Sequence, residues 1–274
     1  MNSDNRLTYI IIAAVILVIF IVMAVFIIKD DGGSNKETTS TTSTNKTNTT
    51  SKTENTTEEP NKLDVNFDYD AAAEEQMAQP KEGETIAVMH VKNYGDITFK
   101  FFKDKAPKAV ENFLTHAKDG YYDGVKFHRV INEFMIQSGD PLGNGTGGES
   151  IWGQGFEEEF DQGLVPYRGA LCMASSGVGR KSLGSQFFIV QANYDPSDAA
   201  TIASYGFPES LNNTIKKYGG AMHLYQSYTV FGQVVEGMDV VDKIAQAEVV
   251  ANSGGEKSSP VNDIVIESID VTTK

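Results

Sequence analysis

The chain is short of several things at once. It has one cysteine, Cys172, in 274 residues, so no intrachain disulfide can staple it. Cys172 sits in the apolar run Ala170-Leu171-Cys172-Met173-Ala174, where it reads as a small buried hydrophobe rather than a reactive thiol. No cysteine stands near the N-terminus, which excludes lipid attachment through such a residue. Basic charge is scarce: 23 Lys and Arg face 37 Asp and Glu, for a net charge of −14. Such an acidic chain is a poor ligand for nucleic acid or an anionic membrane surface. No cluster of metal-ligating side chains, no cofactor motif and no internal repeat can be picked out, so neither metal nor cofactor is expected. Residues 32–62 hold no aliphatic or aromatic side chain and are almost wholly Ser, Thr, Asn, Lys, Glu and Gly. That stretch cannot bury enough apolar surface to offset the entropy of ordering, and is expected to stay disordered.

What is present begins with a long apolar run. Leu7 to Ile28 carries no charge over 22 residues, enough at ~1.5 Å rise per residue to cross a bilayer core of about 30 Å. A cleaved signal peptide would have a shorter core ending in small residues; this run ends Val25-Phe26-Ile27-Ile28, so an uncleaved anchor is expected. Arg6 and Lys29 tie the positive-inside count. The Ser/Thr-rich tether after the span favours a domain held outside the membrane, on a coil of roughly 30 Å r.m.s. reach. The expected organisation is a tail at 1–6, a transmembrane helix at 7–28, a linker at 29–62, a lead-in at 63–83 with a short helix near 71–78, and a folded domain at 84–274.

That domain reads as many short strands and two clear helices. Strands are expected at 85–91, 96–101, 125–130, 134–138, 170–174, 187–190, 229–234 and 264–271, from alternating or continuous apolar runs bounded by turn residues. Pro107 to Lys118 is a helix with Pro in its first turn and Val110, Phe113, Leu114 and Ala117 on one face. Met238 to Ala247 is the second, and 208–219 a shorter one ended by glycine. By itself this pattern is an all-β barrel or sandwich.

Two stretches stand out. In Phe127-His128-Arg129-Val130 and the following Phe134-Met135-Ile136-Gln137-Ser138-Gly139-Asp140, an Arg and a Gln lie beside large apolar groups. Met135 and Gln137 are expected on one strand face, Phe134 and Ile136 on the other. The glycine-rich Gly143-Asn144-Gly145-Thr146-Gly147-Gly148 lacks the Lys-Ser/Thr ending and following helix of a phosphate loop, and reads as a set of turns. The second stretch is Gly184-Ser185-Gln186-Phe187-Phe188-Ile189.

With Gly145-Thr146-Gly147-Gly148, Met173-Ala174 and Val230-Phe231-Gly232, these motifs resemble, in order, those of the cyclophilin-type peptidyl-prolyl isomerases. The resemblance runs from near Ile86 to near Ile269. It implies a closed eight-stranded antiparallel β-barrel capped by two α-helices, and acceleration of cis/trans rotation about X-Pro bonds with no cofactor. It implies that Arg129 is the catalytic arginine and that Gln137 holds substrate backbone and orients it. Phe134, Met135, Phe188 and Leu224 would wall the proline pocket. Ala174 and Gln186 would line the neighbouring groove, and His128 the rim. His223 stands where the family often has Trp, which implies at most weak binding of cyclosporin. Tyr228 takes the place of a second rim histidine, and Ser175 that of a common Asn. Taken without the family, the four apolar residues would be core and Arg129 a surface charge. Expected partners are proline-containing peptides and unfolded exported proteins, with the membrane engaged through 7–28. The alternatives are a non-catalytic proline-peptide binder or adhesin module, and the same domain on the cytosolic side.

Overall fold

The computed structural model describes residues 64, 66–177, 181–196, 203 and 206–274. The span expected at 7–28 and the linker at 29–62 lie outside the described residues. Among the described residues no helix is long and apolar enough to cross a membrane.

The lead-in is part of the fold. Helix α1, Tyr69–Met77, starts where the Asp68 carboxylate accepts the Ala71 N–H at 3.0 Å, the usual N-cap device. Its last carbonyls are covered by the Lys100 ammonium, which donates to Glu75 O at 2.8 Å and Ala78 O at 2.7 Å. Strands β1, Thr85–Val91, and β2, Gly95–Phe101, form a hairpin. Helix α2, Pro107–Lys118, follows, then β3, Arg129–Ile131, β4, Met135–Ser138, β5, Ala170–Ser175, and β6, Leu183–Val190. Helix α3, Glu209–Tyr218, and a 3₁₀ turn at Met222–Leu224 precede β7, Val230–Glu236. Helix α4, Met238–Ala245, the hairpin β8, Val249–Ala251, with β9, Lys257–Pro260, and finally β10, Ile266–Thr273, complete the chain.

Eight strands form one antiparallel sheet in the order β10-β1-β2-β7-β5-β6-β4-β3. The expected closed barrel is corrected here: the sheet curls but stays open between β3 and β10. Residues 125–130 do not run as one strand. Only Lys126 bridges to Val265, with Phe127 N–H to Ile264 O and Ile266 N–H to Val125 O, each 2.9 Å, on either side. β3 is a three-residue strand at the sheet edge, and the β8–β9 hairpin, which the sequence reading did not anticipate, packs beside it.

Period-two alternation splits the apolar residues into two clusters. Ile136, Leu171, Met173, Phe187, Ile189 and Phe231 point into the curl and meet Phe113 of α2 and Val241 and Ile244 of α4. Their neighbours Met135, Ala170, Cys172, Phe188, Val190 and Val230 point the other way, into a second cluster with Leu224. A third cluster joins Tyr69 and Ala73 of α1 to Leu211 and Ile215 of α3 and to Met222 and Tyr225 around the 3₁₀ turn.

Candidate active site

The site grows from the second cluster. Arg129 and Gln137 are directly opposite on β3 and β4, and Gln137 is opposite Phe188 on β6, so all three project from one sheet face. Phe134 joins them by another route. It lies in the turn before β4 rather than on the strand with Ile136, which corrects the expected face. Glu133 takes a left-handed φ of 61°, its N–H donates to Gln191 Oε1 at 2.7 Å, and Phe134 packs with Met135 on the outer cluster.

Together Arg129, Phe134, Met135, Gln137, Ala174, Ser175, Phe188, Leu224 and Tyr228 line a cavity of about 140 Å³. Met135 is 1% exposed and Phe188 and Leu224 are 5% exposed, so the floor and walls are apolar and fixed. The Tyr228 ring stands edge-on to Phe188, centroids 5.4 Å apart. The Arg129 guanidinium sits at the lip, its Cζ 6.0 Å from the Phe134 ring centre. Its Nη1 donates to Gln137 Oε1 at 3.4 Å and lies 3.8 Å from Met135 Sδ. A relay continues inward along the face. Gln137 Nε2 donates to Gln186 Oε1 at 3.0 Å, and Gln186 Nε2 donates to Gly145 O at 3.1 Å and Gly147 O at 2.7 Å. Beyond Gln137 and Ala174 opens a second groove of about 340 Å³, lined also by Gln186, Gly145, Gly147, Lys181 and Glu149.

The glycine-rich loop bounding that groove is held by Asp140, whose carboxylate accepts N–H bonds from Leu142, Asn144 and Gly145 at 2.7–3.1 Å. Burial pushes this carboxyl up, but the backbone donors outweigh it and hold it below the usual range. Gly145 has φ +87°, and a Cβ on Gly147 would collide with the Asp140 carboxylate. The glycines serve the turn, in place of a phosphate cradle.

Thus the structure brings Arg129, Gln137, Phe134, Met135, Phe188, Leu224 and Ala174 to one cavity and Gln186 to its neighbour. His223 lies beside it, its ring 5.2 Å from Phe134. His128 does not reach the rim. It lies beneath Gly145, with both ring nitrogens shielded from solvent and lacking a hydrogen bond of good geometry. Burial lowers its pKa. It points away because Arg129, the next residue along, faces the cavity and neighbouring side chains of an extended chain take opposite sides.

One residue at the lip was missed. Glu256, at the β8–β9 turn, binds Arg129 through both oxygens: Oε2 accepts Nε–H at 2.7 Å and Oε1 accepts Nη2–H at 2.8 Å. The signal was available in Val249-Val250-Ala251-Asn252-Ser253-Gly254-Gly255-Glu256, a strand followed by a glycine turn, but nothing in it says which strand the turn will face.

A sequence model described as "Cyclophilin type peptidyl-prolyl cis-trans isomerase/CLD" matches residues 86–271. The chain belongs to this cyclophilin family. A relative in Staphylococcus aureus (strain USA300), named as a peptidyl-prolyl cis-trans isomerase, is 49% identical over 192 residues, 70% of this chain and 93% of its own length. A Staphylococcus epidermidis relative with the same name is also 49% identical over 192 residues. Among solved structures, a Cryptosporidium parvum cyclophilin-type peptidyl-prolyl cis-trans isomerase matches at 30% identity and TM-score 0.55, covering 70% of this chain and 99% of that one. A structure of the same protein determined in the presence of the dipeptide Ala-Pro matches at TM-score 0.54. This cyclophilin is a peptidyl-prolyl cis-trans isomerase.

Proposed function

We propose that the isomerisation takes place over the 140 Å³ cavity, with Arg129 as the catalytic group. Rotation about a peptide bond is opposed by ~18–20 kcal/mol of amide resonance, and no covalent step is needed to lower it. A catalyst must bind the half-turned amide better than either planar form. As the bond twists, the prolyl nitrogen becomes pyramidal and gains a lone pair. The proline ring fills the slot between Phe134, Met135, Phe188 and Leu224, and a guanidinium N–H donates to the emerging lone pair. That bond strengthens only as resonance is lost, so it favours the transition state. Gln137 holds substrate backbone and orients the arginine, while residues before the proline lie along Ala174 and Gln186. His223, in place of an indole, leaves cyclosporin weakly bound.

We further infer that the domain acts on unfolded exported proteins at the outer face of the cytoplasmic membrane, anchored by 7–28 and tethered by 29–62. The supporting features are the uncharged run and the polar, Ser/Thr-rich stretch after it. Protease added to intact cells releases the domain under this reading and leaves it intact if it faces the cytosol.

The observation that carries the assignment of the site is the Arg129 guanidinium at the lip of an apolar cavity, in reach of Gln137. The deciding experiment is Arg129→Ala in a prolyl-peptide assay. A loss of about 10²–10³ in kcat/KM is expected, the scale for removing one preorganised donor, with unchanged thermal stability. Full activity in this variant overturns the assignment.

A further inference from the structure

The lip of the cavity contains a charge pair that the reaction as described does not use. The guanidinium has five N–H donors in a fixed plane. Glu256 occupies the Nε and Nη2 edge with a bidentate bond, at 2.7 and 2.8 Å. Nη1 alone points over Met135 Sδ and Gln137 Oε1, toward the cavity. Two fixed acceptors on one edge determine the rotation of the whole plane.

Glu256 can do this because its own position is preset by the turn. Asn252 Oδ1 accepts the Glu256 N–H at 3.0 Å and the Gly254 N–H at 2.9 Å, Asn252 N–H donates to Glu256 O at 2.8 Å, and Gly255 takes φ +84°. Asn252 Nδ2 also reaches the buried Ser258 Oγ at 3.2 Å. The turn is thereby tied to β9, which packs against β3. A surface ion pair between two free side chains would be weak and variable. Here the turn pins the backbone that carries one partner, so only side-chain torsions are left to bring the carboxylate onto the guanidinium.

We propose that Glu256 is a positioning residue for Arg129, holding one edge of the guanidinium so that its Nη1 edge is presented to the substrate amide. This rests on the reading of Arg129 as the catalytic group. Orientation is gained at little loss of field, because the pair is partly exposed, with side chains 32% and 41% accessible for Arg129 and Glu256, and solvent screens the carboxylate's effect on the far edge. A carboxylate that merely competed with substrate would act in the opposite sense, and its removal would speed catalysis.

The test uses the full chain and a proline-containing tetrapeptide, with isomerisation followed by exchange NMR at limiting and saturating peptide. Glu256→Ala is expected to lower kcat about 10-fold, the order expected when a reacting group loses its orientation, with KM within about twofold. Glu256→Gln, which keeps one acceptor oxygen, is expected to recover part of the loss. The Arg129 Nε–H signal is expected to exchange slowly in the parent protein and to broaden or vanish in Glu256→Ala. Unchanged or increased kcat in Glu256→Ala, with Arg129→Ala inactive, overturns the positioning role alone. A rise in KM without a fall in kcat also overturns it, since Glu256 would then be binding substrate. If Arg129→Ala is itself fully active, the reading of the site fails and this proposal with it.

Discussion

The two faces of the same strands are built from similar residues and end in opposite states. Inside the curl, Phe187 of β6 is 0% exposed and wedged edge-on against Phe113 and Tyr122, centroids 5.3 and 5.4 Å away. One residue on, Phe188 is also buried at 5%, but part of its ring borders an open cavity. The inner face is closed by α2 and α4, whose apolar stripes cover it. Around the cavity, the outer face is bordered among the described residues by the 3₁₀ turn, the Phe134 turn and the edge of Tyr228, and these meet without filling the space between them. A ligand site arises where packing stops short of completion.

Paired substitutions break or sharpen this contrast. The largest expected effect on stability is Phe187→Ala, at about 3–5 kcal/mol for emptying a fully packed aromatic position, read as a lowered midpoint in chemical unfolding. Phe188→Ala should cost clearly less, because the cavity side of its ring makes no contacts to lose. It should instead raise KM for a proline peptide. Equal losses of stability from the two variants would mean that the faces do not differ as described.

Next is the support under the outer face. Gln76 of α1 is buried and exchanges both amide bonds with Val165, at 2.7 and 3.0 Å, while also reaching Gln233 at 3.2 Å. Tyr69 meets Tyr225 at 3.3 Å, one residue beyond the 3₁₀ turn that carries Leu224. Gln76→Ala strands buried backbone groups and should cost about 1–3 kcal/mol, measurable by thermal unfolding.

Smaller effects come from pH. The Arg129 bond holds the Glu256 carboxyl below its ordinary value, against a burial effect that raises it. A depressed carboxyl pKa gives a contribution that is complete above the unfolded value and lost only as pH falls through the folded one. Activity should therefore be flat through neutrality and decline only below the ordinary glutamate range. The smallest effect is at His90, whose pKa is raised chiefly by its 2.7 Å bond to Asp96, with burial opposing and Asp270 assisting. Its stabilisation is present below the ordinary histidine value of 6.5 and lost as pH rises through the higher folded value. His90→Asn should flatten that slope in a series of thermal unfolding midpoints.

Most strands and helices were legible in the sequence because period-two and 3.6-residue patterns are local. Helix α2 runs 107–118 as its apolar spacing predicts, and β1 spans 85–91. Where local signals mislead, tertiary contact is the reason. Residues 125–130 have strand composition, yet only part of the run finds a partner. Phe134 breaks alternation because Glu133 takes a left-handed turn. The family resemblance implies a rim position for His128, yet it lies beneath Gly145 because the chain alternates there. The β8–β9 hairpin escaped notice because β8 is only three residues long and its partner β9 is short, polar and ends in proline.

By itself the sequence determined the family, the alternation that puts Met135 and Gln137 on one face, and the apolar character of the pocket walls. These depend on residue identity and on spacing within a few positions. The three-dimensional fold alone decided that the sheet stays open between β3 and β10, that α1 braces the 3₁₀ turn, and that Glu256 grips Arg129 from 127 residues away. Each of these joins segments distant along the chain, and which surfaces meet is fixed by the packing of the whole domain rather than by any local pattern.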